Sequence, residues 1–338
     1  MKKFLLLITI LSGSWIISAQ TEDPKVLHQT ARNFMMQNDW NNAILVLNRI
    51  TQMDKNNLDY QKDLIQCFYY KRDYEKAVEG IKAVINRDDA DVMIFQLAGN
   101  VYKAIEDPKE CEKIYKQGLK KFPRSGPLFS EYGELLWAKN DYSAINLWEK
   151  GIELDPGFSG NYYNAALFYF YTKEKVWGLI YGEIFINMES LSQRGAAMKE
   201  LLLKSYKEKL FVQPDLLKGE ENNKNAFTKA FLETMNKHSV ITSKGVTTSS
   251  LTMARTRFIL DWYESHAAKF PHRLFDYQQQ LLREGMFDAY NQWLFGTVEN
   301  LSAFDEWTKA HTEEYKGFTT FQKSRVFKVP PGQYYFSK

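Results

Sequence analysis

Cysteine is scarce in this chain. Cys67 and Cys111 are the only two in 338 residues, so neither a disulfide-dense scaffold nor a thiolate-rich metal cage can be built from it. Histidine numbers five, and only His266 and His272, with Asp276, lie near one another. Pro271 separates the two histidines and breaks the helical spacing that paired metal ligands use, so no metal site is expected. No GxSxG and no glycine-rich phosphate loop occurs, which leaves nucleophilic catalysis and nucleotide binding without a motif. The Ser/Thr run from Thr247 to Thr252 reads as the start of a helix. Net charge is slight: basic residues exceed acidic ones by three, and two of that surplus are Lys2 and Lys3. A chain without a broad basic field is not expected to bind nucleic acid.

Long apolar runs are also absent, with one exception at the start. Residues 1–20 read MKKFLLLITILSGSWIISAQ. Two lysines, an apolar stretch from Phe4 to Ile17 and the small pair Ser18-Ala19 make the pattern of a secretory signal peptide. The stretch is short against the ~20 residues of a membrane span. The expectation is a leader over 1–19, cleaved, and a periplasmic or secreted chain with no membrane span after cleavage. The two cysteines would enter an oxidising space, yet both fall on apolar helix faces, so free buried thiols are expected.

What is abundant is aromatic: 20 Tyr, 23 Phe and 8 Trp. What is ordered is a period. Ala43, Ala77, Cys111, Ala144 and Gly178 follow at steps of 34, 34, 33 and 34. Leu47, Ile81, Tyr115, Trp148 and Gly182 keep the same spacing four residues later, and Ile50, Val84, Gly118, Gly151 and Phe185 form a third row. Upstream, Ala31, Ile65, Gly99, Gly133 and Ala166 mark the facing helices. Small residues at facing positions let two antiparallel helices approach, and the larger neighbours fill the flanks. Polar turns such as Lys71-Arg72-Asp73-Tyr74 separate the helices; Pro123 and Pro156 end second helices. A single hairpin cannot bury its apolar face alone, and stacking supplies the core.

Residues Leu97-Ala98-Gly99, Tyr102, Tyr115, Gly118 and Pro123, then Tyr132-Gly133, Asp141-Tyr142, Ala144, Trp148 and Asp155-Pro156, resemble the tetratricopeptide repeat family. The resemblance covers about 24–190, in five units at 24–57, 58–91, 92–124, 125–158 and 159–190. It implies an all-α, right-handed solenoid of helical hairpins whose first helices line a concave groove for a protein or peptide.

Unit five is apolar almost throughout and carries Gly178 and Gly182 on one face, which reads as a seam. Glu183 inside it is expected to pair with a Lys or Arg. Residues 191–338 lose the period. They read as a mostly helical C-terminal domain: helices at 193–211, 226–238 and 251–270, a hairpin over 272–295, a helix over 303–321 and a strand-like alternating tail.

The groove positions expected to meet a partner are Arg32, Lys62, Gln66, Tyr70, Gln96, Asn100, Trp137, Tyr163 and Tyr171, with His28, Met35, Tyr69, Lys103, Glu134 and Phe170 beside them. Amide and basic groups suit the backbone of an extended peptide, and aromatic shelves suit its side chains. The family's carboxylate clamp is matched by Asn100, whereas Arg32 and Gln66 stand where other units would want Asn. The expected function is a non-enzymatic scaffold without catalytic, cofactor or metal residues. The alternative is an enzyme with its site in 191–338 and the repeats as a substrate-docking module.

Overall fold

The structure is a computed structural model that describes residues 23–335. The leader expected at 1–19 lies outside the described residues. Among these residues every regular element is helical, and no helix is long and apolar enough to cross a membrane. The helices form consecutive packed hairpins, as expected of the repeat array. Contacts divide the chain into two compact units, one through Ala90 and one from Asp91.

The first unit holds α1 (Pro24–Met36), α2 (Trp40–Met53), α3 (Leu58–Tyr70) and α4 (Tyr74–Val84). Each begins at a short polar side chain that accepts a backbone N–H of the first turn: Asp23, Asp39, Asn57 and Asp73. Ala31 and Ala43 are wholly buried between α1 and α2, with Leu27, Leu47, Ile50, Tyr60 and Cys67 around them.

The second unit starts with three more hairpins: α5 (Val92–Ala104) with α6 (Pro108–Lys121), α7 (Gly126–Ala138) with α8 (Ala144–Leu154), and α9 (Ser159–Phe170) with α10 (Trp177–Met188). At Gly99 a Cβ would stand 2.2 Å from the Tyr115 hydroxyl, and at Gly133 2.3 Å from Trp148 Nε1. These two glycines are therefore required by the ring that crosses each of them. The first helices follow one another side by side, α5 on α7 and α7 on α9. The one residue missing from the period falls after Asp141. That side chain bonds the N–H of Ser143, and α8 starts at Ala144 without a side-chain cap.

The hairpin turns carry a second period. Asn38, Arg72, Glu106 and Asn140 all have positive φ, between 56° and 64°, a left-handed conformation uncommon outside glycine. Each precedes an aspartate, and Asp39, Asp73 and Asp107 cap the next helix.

Beyond the hairpins, α10 packs on α11 (Gln193–Ser205), which continues as a π-turn over Tyr206–Leu210. Then come α12 (Ala226–Asn236), α13 (Thr248–Ser265), α14 (Arg273–Arg283), α15 (Phe287–Asn291) with a π-turn at Gln292–Gly296, α16 (Thr297–Glu299), α17 (Leu301–Ala310) and α18 (Thr312–Lys323). Thr247 caps α13 through a reciprocal bond with Ser250.

Three expectations are corrected. The helix foreseen to Phe270 ends at Ser265, where His266 and Ala267 both donate to the Trp262 carbonyl. The single helix foreseen over 303–321 is broken at His311: Thr312 Oγ1 donates back to Thr308 O and Lys309 O, and the His311 ring stacks 4.4 Å from Trp307. The alternating tail pairs with no strand among the described residues. It is a strap that buries Phe327, Val329 and Tyr335.

Candidate partner-binding faces

In the first unit α1 and α3 present the face on which Arg32, Lys62, Gln66 and Tyr70 were expected. Asp63 organises it. Its Oδ2 accepts from Arg32 Nε at 2.8 Å and lies 2.7 Å from His28 Nε2. The hydrogen bond to Asp63 raises the pKa of Arg32 above its ordinary value. Lys62 pairs with Asp59 at 2.8 Å. Gln66 is half-buried and makes no side-chain bond among the described residues. Tyr70 is exposed and stacks on Trp40, ring centroids 4.9 Å apart.

In the second unit the counterpart is built on α5, α7 and α9. Gln96 Nε2 donates to Glu131 Oε1 at 2.7 Å, the Tyr115 hydroxyl donates to Glu131 Oε2 at 2.8 Å, and Lys103 Nζ stands 3.8 Å away. Burial raises the pKa of Glu131, while the bonds from Gln96 and Tyr115 and the charge of Lys103 oppose that rise. One helix further, Asn164 Nδ2 donates to Ser130 Oγ at 3.0 Å and to Glu134 Oε1 at 2.9 Å. Asn100 is half-buried and makes no side-chain hydrogen bond among the described residues. Trp137 is committed to packing, edge-on to Trp148 at 5.2 Å and to Phe168 at 6.2 Å. Tyr163 sits 4.9 Å from Phe185 with the Arg194 guanidinium 5.0 Å over its ring. Tyr171 is 72% exposed at the end of α9.

Thus Arg32 and Gln96 hold the neighbouring first helix, through Asp63 and Glu131. Asn100, Gln66, Tyr70 and Tyr171 keep surface for a ligand. The carboxylates Asp63, Glu131 and Glu134 were not all legible as part of these faces. The signal that finds them is a pair of complementary polar residues one repeat apart: His28 with Asp63 and Gln96 with Glu131, each 35 residues, and Ser130 with Asn164, 34 residues.

The aperiodic part carries buried ionisable groups. Glu183 has its expected cation, Arg255 of α13, each side chain 3% exposed. Glu183 Oε1 also accepts from Gln278 at 2.7 Å and from Tyr290 at 2.8 Å, and Arg255 Nη1 donates to Asn291. The hollow beside this pair is about 10 Å³, no more than the ~10–15 Å³ that one water needs. Glu149 has no cation among the described residues: Tyr169 and Tyr181 each donate to it at 2.9 Å, Tyr334 of the tail bonds it as well, and burial pushes its carboxyl up to about 7. Lys199 donates to the Trp293 carbonyl at 2.7 Å beneath that ring, and burial lowers its amine to about 7. His266 packs on Trp262, and His272 is buried among Phe227, Phe275 and Tyr335. Cys67 and Cys111 are free and buried, and burial raises their thiols to about 12 and about 11.

No family model matches the chain, and no curated protein matches it. Solved structures do. TTC0263, a thermophilic TPR protein of Thermus thermophilus, is 11% identical and covers 54% of this chain and 100% of its own, with a TM-score of 0.45. YrrB, a TPR protein with an unusual peptide-binding site, is 16% identical over 54% of this chain and 94% of its own, with a TM-score of 0.38. MamA is 14% identical over 53% and 95%, with a TM-score of 0.37. At such identities and TM-scores, any functional reading rests on this chain's own side chains.

Proposed function

We propose that this chain is an exported, non-enzymatic scaffold that holds a protein or peptide on the faces of its first helices. The observation that carries the reading is the state of those faces. Polar rungs one repeat apart fix neighbouring first helices, and amides and rings that the rungs do not use are left at the surface. Asn100 stands beside the Gln96–Glu131 rung with its amide unused among the described residues. A planar amide offers one donor side and one acceptor side, which matches a peptide group. Tyr70 and Tyr171 add exposed rings on each unit's face. Lys2, Lys3, the apolar run from Phe4 to Ile17 and Ser18-Ala19 support the export.

The test is crosslinking and affinity capture from intact cells with the full chain and with an Asn100→Ala/Tyr70→Ala/Tyr171→Ala variant. Trp137 is left in place because it packs against Trp148. The variant is expected to keep its helical circular dichroism and to lose at least about tenfold of the captured partner, since two or three interface contacts of ~1 kcal/mol or more would be removed. Capture unchanged by the variant sinks the assignment of these faces. The mass of the mature chain tests export: a chain that keeps residues 1–19 refutes cleavage.

A further inference from the structure

The turn between α6 and α7 departs from a period that the other units keep. Four residues after Ile50, Val84, Gly151 and Phe185 stand carboxylates: Asp54, Asp88, Asp155 and Glu189. At the same step after Gly118 the third unit has Phe122. In the fourth and fifth units that carboxylate ties the end of the second helix to the start of the first. Asp155 Oδ2 accepts the Gly126 N–H at 3.1 Å, and Glu189 Oε1 accepts from Ser159 Oγ at 2.6 Å. The matching pair in the third unit is Phe122 and Val92, the first residue of α5. Neither side chain can make the tie.

An open cleft of about 520 Å³ lies where the tie is missing, within the ~300–1,000 Å³ usual for ligand clefts. Val92, Phe122, Pro123 and Pro127 give it an apolar lining, and Lys121 and Arg124 belong to it as well. Phe122 is half-buried and edge-on to Phe95 at 6.0 Å, so part of its ring is left to the cleft. Met93, next to Val92, is 58% exposed. The turn is stiff: two proline rings fix their own φ, and Ser125 N–H donates to the Phe122 carbonyl at 3.1 Å. The apolar surface therefore exists before a ligand arrives, and little ordering is lost on binding.

The charge about the cleft has one sign to spare. Asp155, the carboxylate in the lining, already accepts from Gly126. Arg124 Nη2 donates to the Leu154 carbonyl at 3.1 Å, and its guanidinium pairs with no carboxylate among the described residues. Lys120 and Lys121 beside it are both exposed. The start of α7 offers no anion site of its own, since the Gly126 N–H goes to Asp155, Pro127 has none and the Leu128 N–H goes to Ser125 Oγ.

We propose that this cleft docks a segment of a protein partner that carries a large apolar side chain beside acidic residues. The side chain lies on Phe122, Val92 and the two prolines, and the acids face Arg124 and Lys121. A small ligand in so open a cleft would stay largely in water, whereas small-molecule sites bury most of theirs. A protein segment brings contacts beyond the cleft. The site shares no residue with the first-helix faces and stands without the reading given to them.

The experiment follows the fluorescence anisotropy of labelled, end-blocked hexapeptides added to the full chain: DELFDE, the charge-reversed KKLFKK, and DEAADE. Saturable binding of the first is expected below about one millimolar, weakened by salt, with the other two at least about tenfold weaker. Phe122→Asp restores the residue type that the other units carry at this step. It is expected to keep the helical circular dichroism and to lower the affinity for DELFDE at least about tenfold, by removing apolar surface and adding a like charge. Arg124→Glu changes an exposed side chain and should weaken DELFDE about threefold or more, with a flatter salt dependence. The Asn100→Ala/Tyr70→Ala/Tyr171→Ala variant should bind as the wild type does. No saturable binding of DELFDE at about one millimolar, or binding that Phe122→Asp and Arg124→Glu both retain, overturns the proposal. Equal binding of KKLFKK overturns the acidic assignment. Loss of binding in the triple variant places the peptide on the first-helix faces and overturns it too. Self-association on sedimentation that Phe122→Asp abolishes makes the occupant a second copy of this chain, which overturns the partner assignment.

Discussion

Glu149 shows what a single buried carboxyl does to a helical core. Three tyrosine hydroxyls surround it, from Tyr169, Tyr181 and Tyr334, and the nearby charge of Glu174 raises its pKa further. Hydroxyls donate to either protonation state, but they do not offset the loss of water around a charge. With its carboxyl held up to about 7, the folded protein keeps a proton that the unfolded chain releases near 4.5. The contribution to stability is present below the unfolded value and is lost as pH rises from there through 7, by ~3 kcal/mol at most. Glu149→Gln removes that share. Urea denaturation from about pH 5 to about pH 8 should show a flatter stability profile for the variant and a gain at the alkaline end of ~1–3 kcal/mol. A profile parallel to the wild type would place the titration at another group. Glu174, also raised to about 7 by burial, adds a slope of the same sign that the variant keeps.

At the scale of the helix the governing fact is close approach. Trp148 crosses Gly133 and donates its Nε1–H to the Ser130 carbonyl at 3.0 Å. Gly133→Ala has no flexible neighbour to displace, and the ring must tilt away from that bond. The expected loss is ~2–4 kcal/mol, overpacking with a weakened hydrogen bond. The measurement is the urea midpoint, and a change under ~0.5 kcal/mol would show that α7 and α8 can separate freely. This level was the most legible in the sequence, since the same steric demand recurs about every 34 residues and leaves the same small letters. The turns carry an aspartate at the same step, but its capping role at Asp39, Asp73 and Asp107, and the left-handed residue before each, emerge only from the structure. The rungs were not. His28 and Asp63, or Gln96 and Glu131, are unlike letters, and a search for likeness passes over complementarity. The break at His311 was hidden for another reason: back-bonding threonines read as ordinary helix residues until their rotamers are known.

For the second unit as a whole, the period ends near residue 190 while the packing continues. Glu183 on the last repeat helix is neutralised by Arg255, 72 residues further along, and also accepts from Gln278 and Tyr290. A charge inside an apolar helix predicted a cation but could not say which, because nothing local ties 183 to 255. Arg255→Met leaves a buried carboxylate alone and should lower stability by ~3–5 kcal/mol, whereas Glu183→Gln/Arg255→Met together should recover most of it. Guanidinium chloride unfolding of the two variants decides this. Equal losses in the single and the double variant would show that packing, and not charge, dominates the site.

The tail strap bears on the order in which the molecule is completed. Gln333 accepts from the Arg273 backbone, Tyr335 lies 5.2 Å from Phe227 and donates to the Pro271 carbonyl at 2.7 Å, and Tyr334 reaches Glu149 on α8. Asn225, at the start of α12, donates to the Tyr335 carbonyl across 110 residues of chain. A chain made from its N-terminus folds its earlier parts first, so the helices beneath the strap are finished well before the strap exists. Until it arrives, Phe227 lacks one of its stacked rings and Glu149 one of its three hydroxyls. The strap is therefore the last piece to be packed, and it completes both the ring cluster about Phe227 and the hydroxyl shell of Glu149.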